Sequence, residues 1–189
     1  QRGPMAKTFA LINDKRLIEI ITAARQHVIY AAPSISYYVA ETIVQKCISN
    51  TEILYRIVLD VDAEPMRLGF GDVDGLRILW DNDIEVRAAP GLRVGVLVVD
   101  SDAWVFAPTP EIILKQPEGD LSNAIKVSTD FALEMIPSIA PQIAAELNVL
   151  DATIIHNSEN KSLEPEIGRS VVVEDNKKAV EIAIAENPP

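Results

Sequence analysis

The scarcities of this sequence exclude whole classes of function. There is one cysteine, Cys47. No disulfide can close within the chain, and no thiolate zinc cluster can form. That usage fits a reducing compartment and sets the expectation of a cytoplasmic protein. Histidine is nearly as scarce. His27 and His156 are the two, and neither stands in a metal-ligand spacing such as H-E-x-x-H. His27 opens a strand and His156 sits in a polar stretch, so both suit structural or surface roles. No apolar run approaches the roughly 20 residues that span a bilayer, and no signal peptide is visible, so no membrane span is expected. G-x-G-x-x-G, P-loop and G-x-S-x-G patterns are missing. The nearest glycine-rich feature, Gly69-Phe70-Gly71, lacks the following lysine that a phosphate cradle needs. No cofactor is expected.

Positive charge is also short. Lys and Arg number 17 against 28 Asp and Glu, a formal net charge of −11. Such a chain repels nucleic acid and anionic membranes unless its cations gather in one place. Between Lys46 and Lys115 every cation is an arginine: Arg56, Arg67, Arg77, Arg87 and Arg93. Arginine keeps its charge when partly buried and grips carboxylates or phosphates through a fork. These arginines either pair with the local aspartates or gather for an anion. The aspartates Asp60, Asp62, Asp72 and Asp74 match no calcium-loop spacing, and the last two suit helix capping, so no metal is expected.

What remains is an ordinary globular pattern. Of 189 residues 48% are apolar, enough for one domain with a sizeable core. Residues 1–4 read as an expression scar, residues 5–150 as one α/β domain. Residues 151–189 read as a linker and C-terminal helix, expected to continue into a further domain. Asn13 or Asp14 caps a helix to about Arg25, and His27 to Ala31 is a strand. Ser34 or Ser36 caps a helix to about Ser49, with Cys47 on its apolar stripe as a small core residue. Glu52 to Val61 alternates, which sets Arg56, Val58 and Asp60 on one face. Asp62 to Gly71 is a loop, and Asp72 or Asp74 caps a helix to about Asp81.

Three strands with tight breaks follow. Ile84 to Ala88 runs to a turn at Pro90-Gly91, Arg93 to Val99 is almost wholly apolar, and Ala103 to Ala107 returns after Asp100 to Asp102. Asn123 to Val127 is a further strand. Ser128 caps a helix to about Ile136, which Pro137 breaks, and a second helical piece reaches Leu147. A last helix runs from Glu174 to Glu186. Strand–helix alternation followed by a hairpin predicts a mixed, largely parallel sheet flanked by helices, with a helical C-terminal extension.

From His27 to Pro108 the chain resembles one copy of the phospholipase D superfamily core. The stretches V-I-Y-A-A-P-S-I-S-Y-Y-V-A, R-I-V-L-D-V-D, G-D-V-D-G-L and I-E-V-R-A-A-P-G-L-R-V-G-V-L-V-V-D follow that family's order. The family's pattern is H-x-K-x4-D and, after six intervening residues, G-S-x-N; its His is the nucleophile and its Lys holds the phosphate. Here the His and Lys positions hold Arg93 and Gly95, and the Asp position holds Asp100. Ala107, Pro108, Thr109 and Pro110 stand in the second motif. Arginine stays protonated and cannot accept a phosphoryl group.

The resemblance therefore implies a fold without the family's chemistry. Expected is a catalytically inactive binding or dimerisation module of a larger protein. A homodimer follows because two motif copies make one family site. The partner is a protein or an anionic ligand, with nucleic acid disfavoured by charge. Gly95, two residues after Arg93 on a strand, either leaves a hole where an anion meets Arg93, with Arg87 or Arg56 as second donor, or makes room for Trp104 or Tyr55. In the latter case Arg93 pairs with Asp100 or Asp60.

Overall fold

The computed structural model describes residues 8–111 and 114–140. Asn13 caps α1, Asp14–Ala23, by accepting the Arg16 N–H, and Leu17, Ile20 and Ile21 form its buried stripe. β2, His27–Ala32, follows and leads into α2, Tyr37–Ser49, capped by Ser36. β3, Leu54–Leu59, crosses through a short helix α3, Ala63–Arg67, and α4, Val73–Asp81, to β4, Val86–Ala88. α3 lies where a loop was expected. Pro65 sits in its first turn, where no N–H is needed. β5, Gly95–Val99, and β6, Asp102–Phe106, form the hairpin, and β7, Ala124–Val127, precedes α5, Thr129–Ile139. α5 runs on through Pro137 to Ile139 instead of stopping at Ile136. The piece expected to reach Leu147, the helix 174–186 and His156 lie outside the described residues.

A strand that periodicity did not reveal opens the fold: β1, Phe9–Ala10. Two residues are too few to show alternation. The sheet order is β1-β7-β6-β5-β2-β3-β4. The sheet is mixed and flanked by helices, as expected, but it is not largely parallel. β2–β3 and β3–β4 pair parallel, while β5 with β2 and the remaining pairs are antiparallel. The two parallel pairs are the ones whose strands are joined in sequence through helices, α2 between β2 and β3 and α3 with α4 between β3 and β4.

One face buries Tyr30, Ile57, Leu59, Leu97, Trp104 and Phe106 against α1, α2 and α4. The other packs Ile29, Val58, Val96 and Val98 against Ala132 and Ile136 of α5. β2 and β5 are central and covered on both sides, which explains their nearly continuous apolar sequence. Asp72 ties two helices together. Its carboxylate accepts the Gly75 N–H at the start of α4 and the Tyr37 N–H at the start of α2.

Candidate functional site

The parallel strands β2, β3 and β4 end at one edge of the sheet. Because β5 opposes β2, with Val96 beside Ala31, β5 begins at that same edge and β6 ends there. Turns on this carboxyl edge therefore collect Asp60, Gly91, Arg93, Pro108 and Thr109. In α/β sheets such an edge is the usual place for a ligand.

Asp60 follows the last residue of β3 and is 1% exposed. A buried carboxylate is costly unless donors surround it. Here Oδ1 accepts the Asp62 N–H at 3.1 Å. Oδ2 accepts the Gly91 N–H at 2.9 Å and Arg93 Nη1 at 2.6 Å. The carboxylate thus joins the end of β3 to the turn before β5. Arg93 Nη1 also donates to the Leu92 carbonyl, and Nη2 donates to Glu64 at 3.1 Å. The hydrogen bond to Asp60, foremost among these influences, holds the guanidinium above its ordinary pKa. Between the expected partners Asp60 and Asp100, the structure selects Asp60.

β5 starts at Gly95, so Arg93 lies in the turn before the strand and the two do not share a strand face. There is no hole at Gly95. The register places it opposite Phe106, and a Cβ built there would stand 2.3 Å from the Phe106 ring. The glycine makes room for a bulky neighbour, and that neighbour is Phe106 rather than Trp104 or Tyr55. The cross-strand partner depends on register, which the sequence alone left open.

Asp100 is at the opposite end of β5, roughly 17 Å from Gly95 along the strand. Its backbone is left-handed, with φ of 52°. Its carboxylate accepts the N–H groups of Arg25, Gln26 and His27 at 3.0, 2.8 and 3.1 Å. Asp100 is a clamp on the turn from α1 to β2, remote from Arg93.

Arg87 pairs with Glu85 at 2.6 Å, and Arg56 donates to the Tyr55 carbonyl at 2.9 Å. Arg87 is opposite Val58 in the register, so Arg56 and Arg87 are diagonal neighbours on the α5 face. Arg93 stands apart from them beside Asp60, four residues along β3 from Arg56. The candidate residues are not gathered into one donor set.

A cavity of about 40 Å³ lies among Tyr30, Ser36, Phe70, Phe106, Pro108 and Thr109. That volume suits water and not a phosphodiester. Ser34, 2% exposed, is pressed against Gly71, where a Cβ would meet its hydroxyl at 2.5 Å. Burial pushes the Cys47 thiol up to about 11, which keeps it a thiol beside Tyr55 and not a nucleophile. Sequence reasoning missed Phe106 and the dual role of Asp72, because both depend on which strands and helices become neighbours.

No family model and no curated protein matches the chain. Among solved structures, the phosphatidylserine synthase of Haemophilus influenzae Rd KW20 is similar at a TM-score of 0.45 and 13% identity, over 93% of this chain and 42% of that one. This chain spans less than half the length of that neighbour.

Proposed function

We propose that the chain is a phospholipase D-like domain without catalytic activity, serving as a binding or dimerisation module of a larger protein. The observation that carries this reading is how the edge is filled. Where the family places its histidine, Arg93 is tied to Asp60 and Glu64. Where the family places its lysine, Gly95 lies under the Phe106 ring. Arg93 supplies no nucleophile, and Gly95 supplies no cation for a phosphate. No described helix is long and apolar enough to cross a membrane, and the single cysteine suits a cytoplasmic setting.

The test is a hydrolysis assay with a chromogenic phosphodiester and with phospholipid vesicles. No turnover is expected from the wild-type chain. Turnover that disappears in Arg93→Ala overturns the reading. The resemblance, with one motif copy, also implies a homodimer joined near Arg93. Light scattering at high concentration checks it, and a monomeric mass counts against it.

A second reading is a regulatory module for an anion, nucleotide or nucleic acid. The diagonal placement of Arg56 and Arg87 favours it. It requires a salt-dependent affinity that falls when Arg87 and Arg93 are changed together. No binding across nucleotides, DNA and RNA removes it.

A further inference from the structure

The α5 face of the sheet is wider than α5. That helix packs on β5 and β6. In the strand order, β3 lies about 10 Å from β5 and β4 about 15 Å. A helix with its side chains is about 10–12 Å across, so α5, centred on β5 and β6, stops short of β3 and β4. Yet this part of the face is covered. Val58 of β3 is 1% exposed. Arg56, opposite Ile29, and Arg87, opposite Val58, are half-buried on the same face. Leu54, at the start of β3, is 39% exposed. Val58 and Leu54 thus form an apolar track with Arg56 between them and Arg87 diagonal to it.

Charge on this track is incompletely answered. Arg87 pairs with Glu85. Among the described residues Arg56 meets no carboxylate; it donates to the Tyr55 carbonyl, and Glu52 is exposed in the turn before β3. A half-buried guanidinium has five donors and a charge to satisfy. The chain itself arrives here. Val127 is opposite Ala103, so α5 starts at the end of the sheet away from Arg93. Roughly 16 Å of helix then returns the chain toward the Arg93 edge, where Ala140 is fully buried in the cluster that holds Ala89 and Leu92. The sequence goes on as P-Q-I-A-A-E-L-N-V-L, residues 141–150. Pro141 suits a first helical position. At helical spacing Ile143, Leu147 and Leu150 share one side, with Glu146 at its margin.

We propose that residues 141–150 dock across β3 and β4 beside α5, with Ile143, Leu147 and Leu150 on Val58 and Leu54 and the Glu146 carboxylate on the Arg56 and Arg87 guanidinium groups. Length and charge both select this segment. Ile143 to Leu150 spans about 10 Å as a helix, against about 13 Å from Val58 to Leu54 along β3. Glu146 is the one charged residue of the ten, and its sign is opposite to that of the arginines. An anion reaches Arg56 and Arg87 only by displacing the chain's own carboxylate, so the contact is autoinhibitory toward any ligand of these two arginines. The docking surface is separate from the Arg93 edge, and the proposal does not depend on whether that edge is catalytic.

The experiment uses the full chain. Urea unfolding compares wild type with Arg56→Glu, Glu146→Arg and the double reversal. Each single reversal is expected to raise the unfolding equilibrium constant roughly fivefold, and the double reversal to recover most of that loss. Costs that simply add overturn the pairing. A second measurement keeps the charges native and replaces Leu147 with a photo-reactive phenylalanine analogue. Irradiation is expected to join position 147 to residues 54–58 or 86–89 of the same chain, as read by mass spectrometry of the digested monomer. A link to another element, a link between two chains, or no link overturns the docking.

Discussion

The ring of Phe106 occupies the volume that a side chain on Gly95 would need. The two are opposite each other across β5 and β6, and a Cβ at position 95 would stand 2.3 Å from the ring. Phe106 is 5% exposed and belongs to the larger core cluster. Reversing this arrangement is therefore a packing problem before it is a question of chemistry.

Gly95→Ala is expected to destabilise the chain by roughly 1–3 kcal/mol, since overpacking forces the ring or the backbone to move. In a Phe106→Ala background the same change should cost much less, because the two positions share one volume. Urea midpoints of the four proteins check this. Equal costs in both backgrounds would show that the ring is not the obstacle.

Asp60 and Arg93 should respond unequally. Asp60→Ala leaves the Gly91 and Asp62 N–H groups without their acceptor and the guanidinium with only the Leu92 carbonyl and Glu64. Each buried N–H left without an acceptor costs about 1–3 kcal/mol. Arg93→Ala should cost less, because the arginine side chain is 44% exposed and Asp60 keeps two N–H donors. Glu64→Ala, on a side chain that is 69% exposed, should be nearly silent. Denaturant titrations give the order, and a larger loss at Glu64 than at Asp60 would contradict it.

Asp100 combines two effects that substitutions can separate. Asp100→Gly keeps the left-handed backbone and loses the carboxylate; Asp100→Ala loses both. The alanine variant should be less stable than the glycine variant by about 1–2 kcal/mol. Both should fall below wild type, because three backbone N–H groups lose their acceptor. Exchange at the Gln26 amide should quicken in both.

Acid should weaken the fold through His27. Burial holds its imidazole below the ordinary value of 6.5, against the opposing pull of Asp100. The unfolded chain then binds the proton more readily than the folded one. This contribution is complete above 6.5 and is lost as pH falls toward the folded value. The urea midpoint should drop as pH falls through 6.5, and His27→Gln should flatten that slope. An unchanged slope in the variant would assign the loss to other groups.

The elements themselves were legible. Asn13, Ser36, Asp72 and Ser128 each sit where a capping side chain precedes an apolar period, and each caps a helix. The strand containing Arg56, Val58 and Asp60 alternates in space as it does in sequence. Strand direction was less legible, because apolar runs look alike in parallel and antiparallel neighbours. β1 was invisible, since two residues carry no period. At the carboxyl edge, the sequence placed Arg93 and Gly95 at the start of an apolar strand. It left open what surrounds them.

The sequence by itself determined helix starts and apolar faces. These are local matters of side-chain chemistry and spacing. Tertiary structure decided that Arg93 meets Asp60, across 33 residues, that Gly95 lies beneath Phe106, and that Asp100 clamps the turn before β2. Each of those depends on strand order and register, which bring distant backbone into contact, and one residue of slip would turn every side chain to the other face.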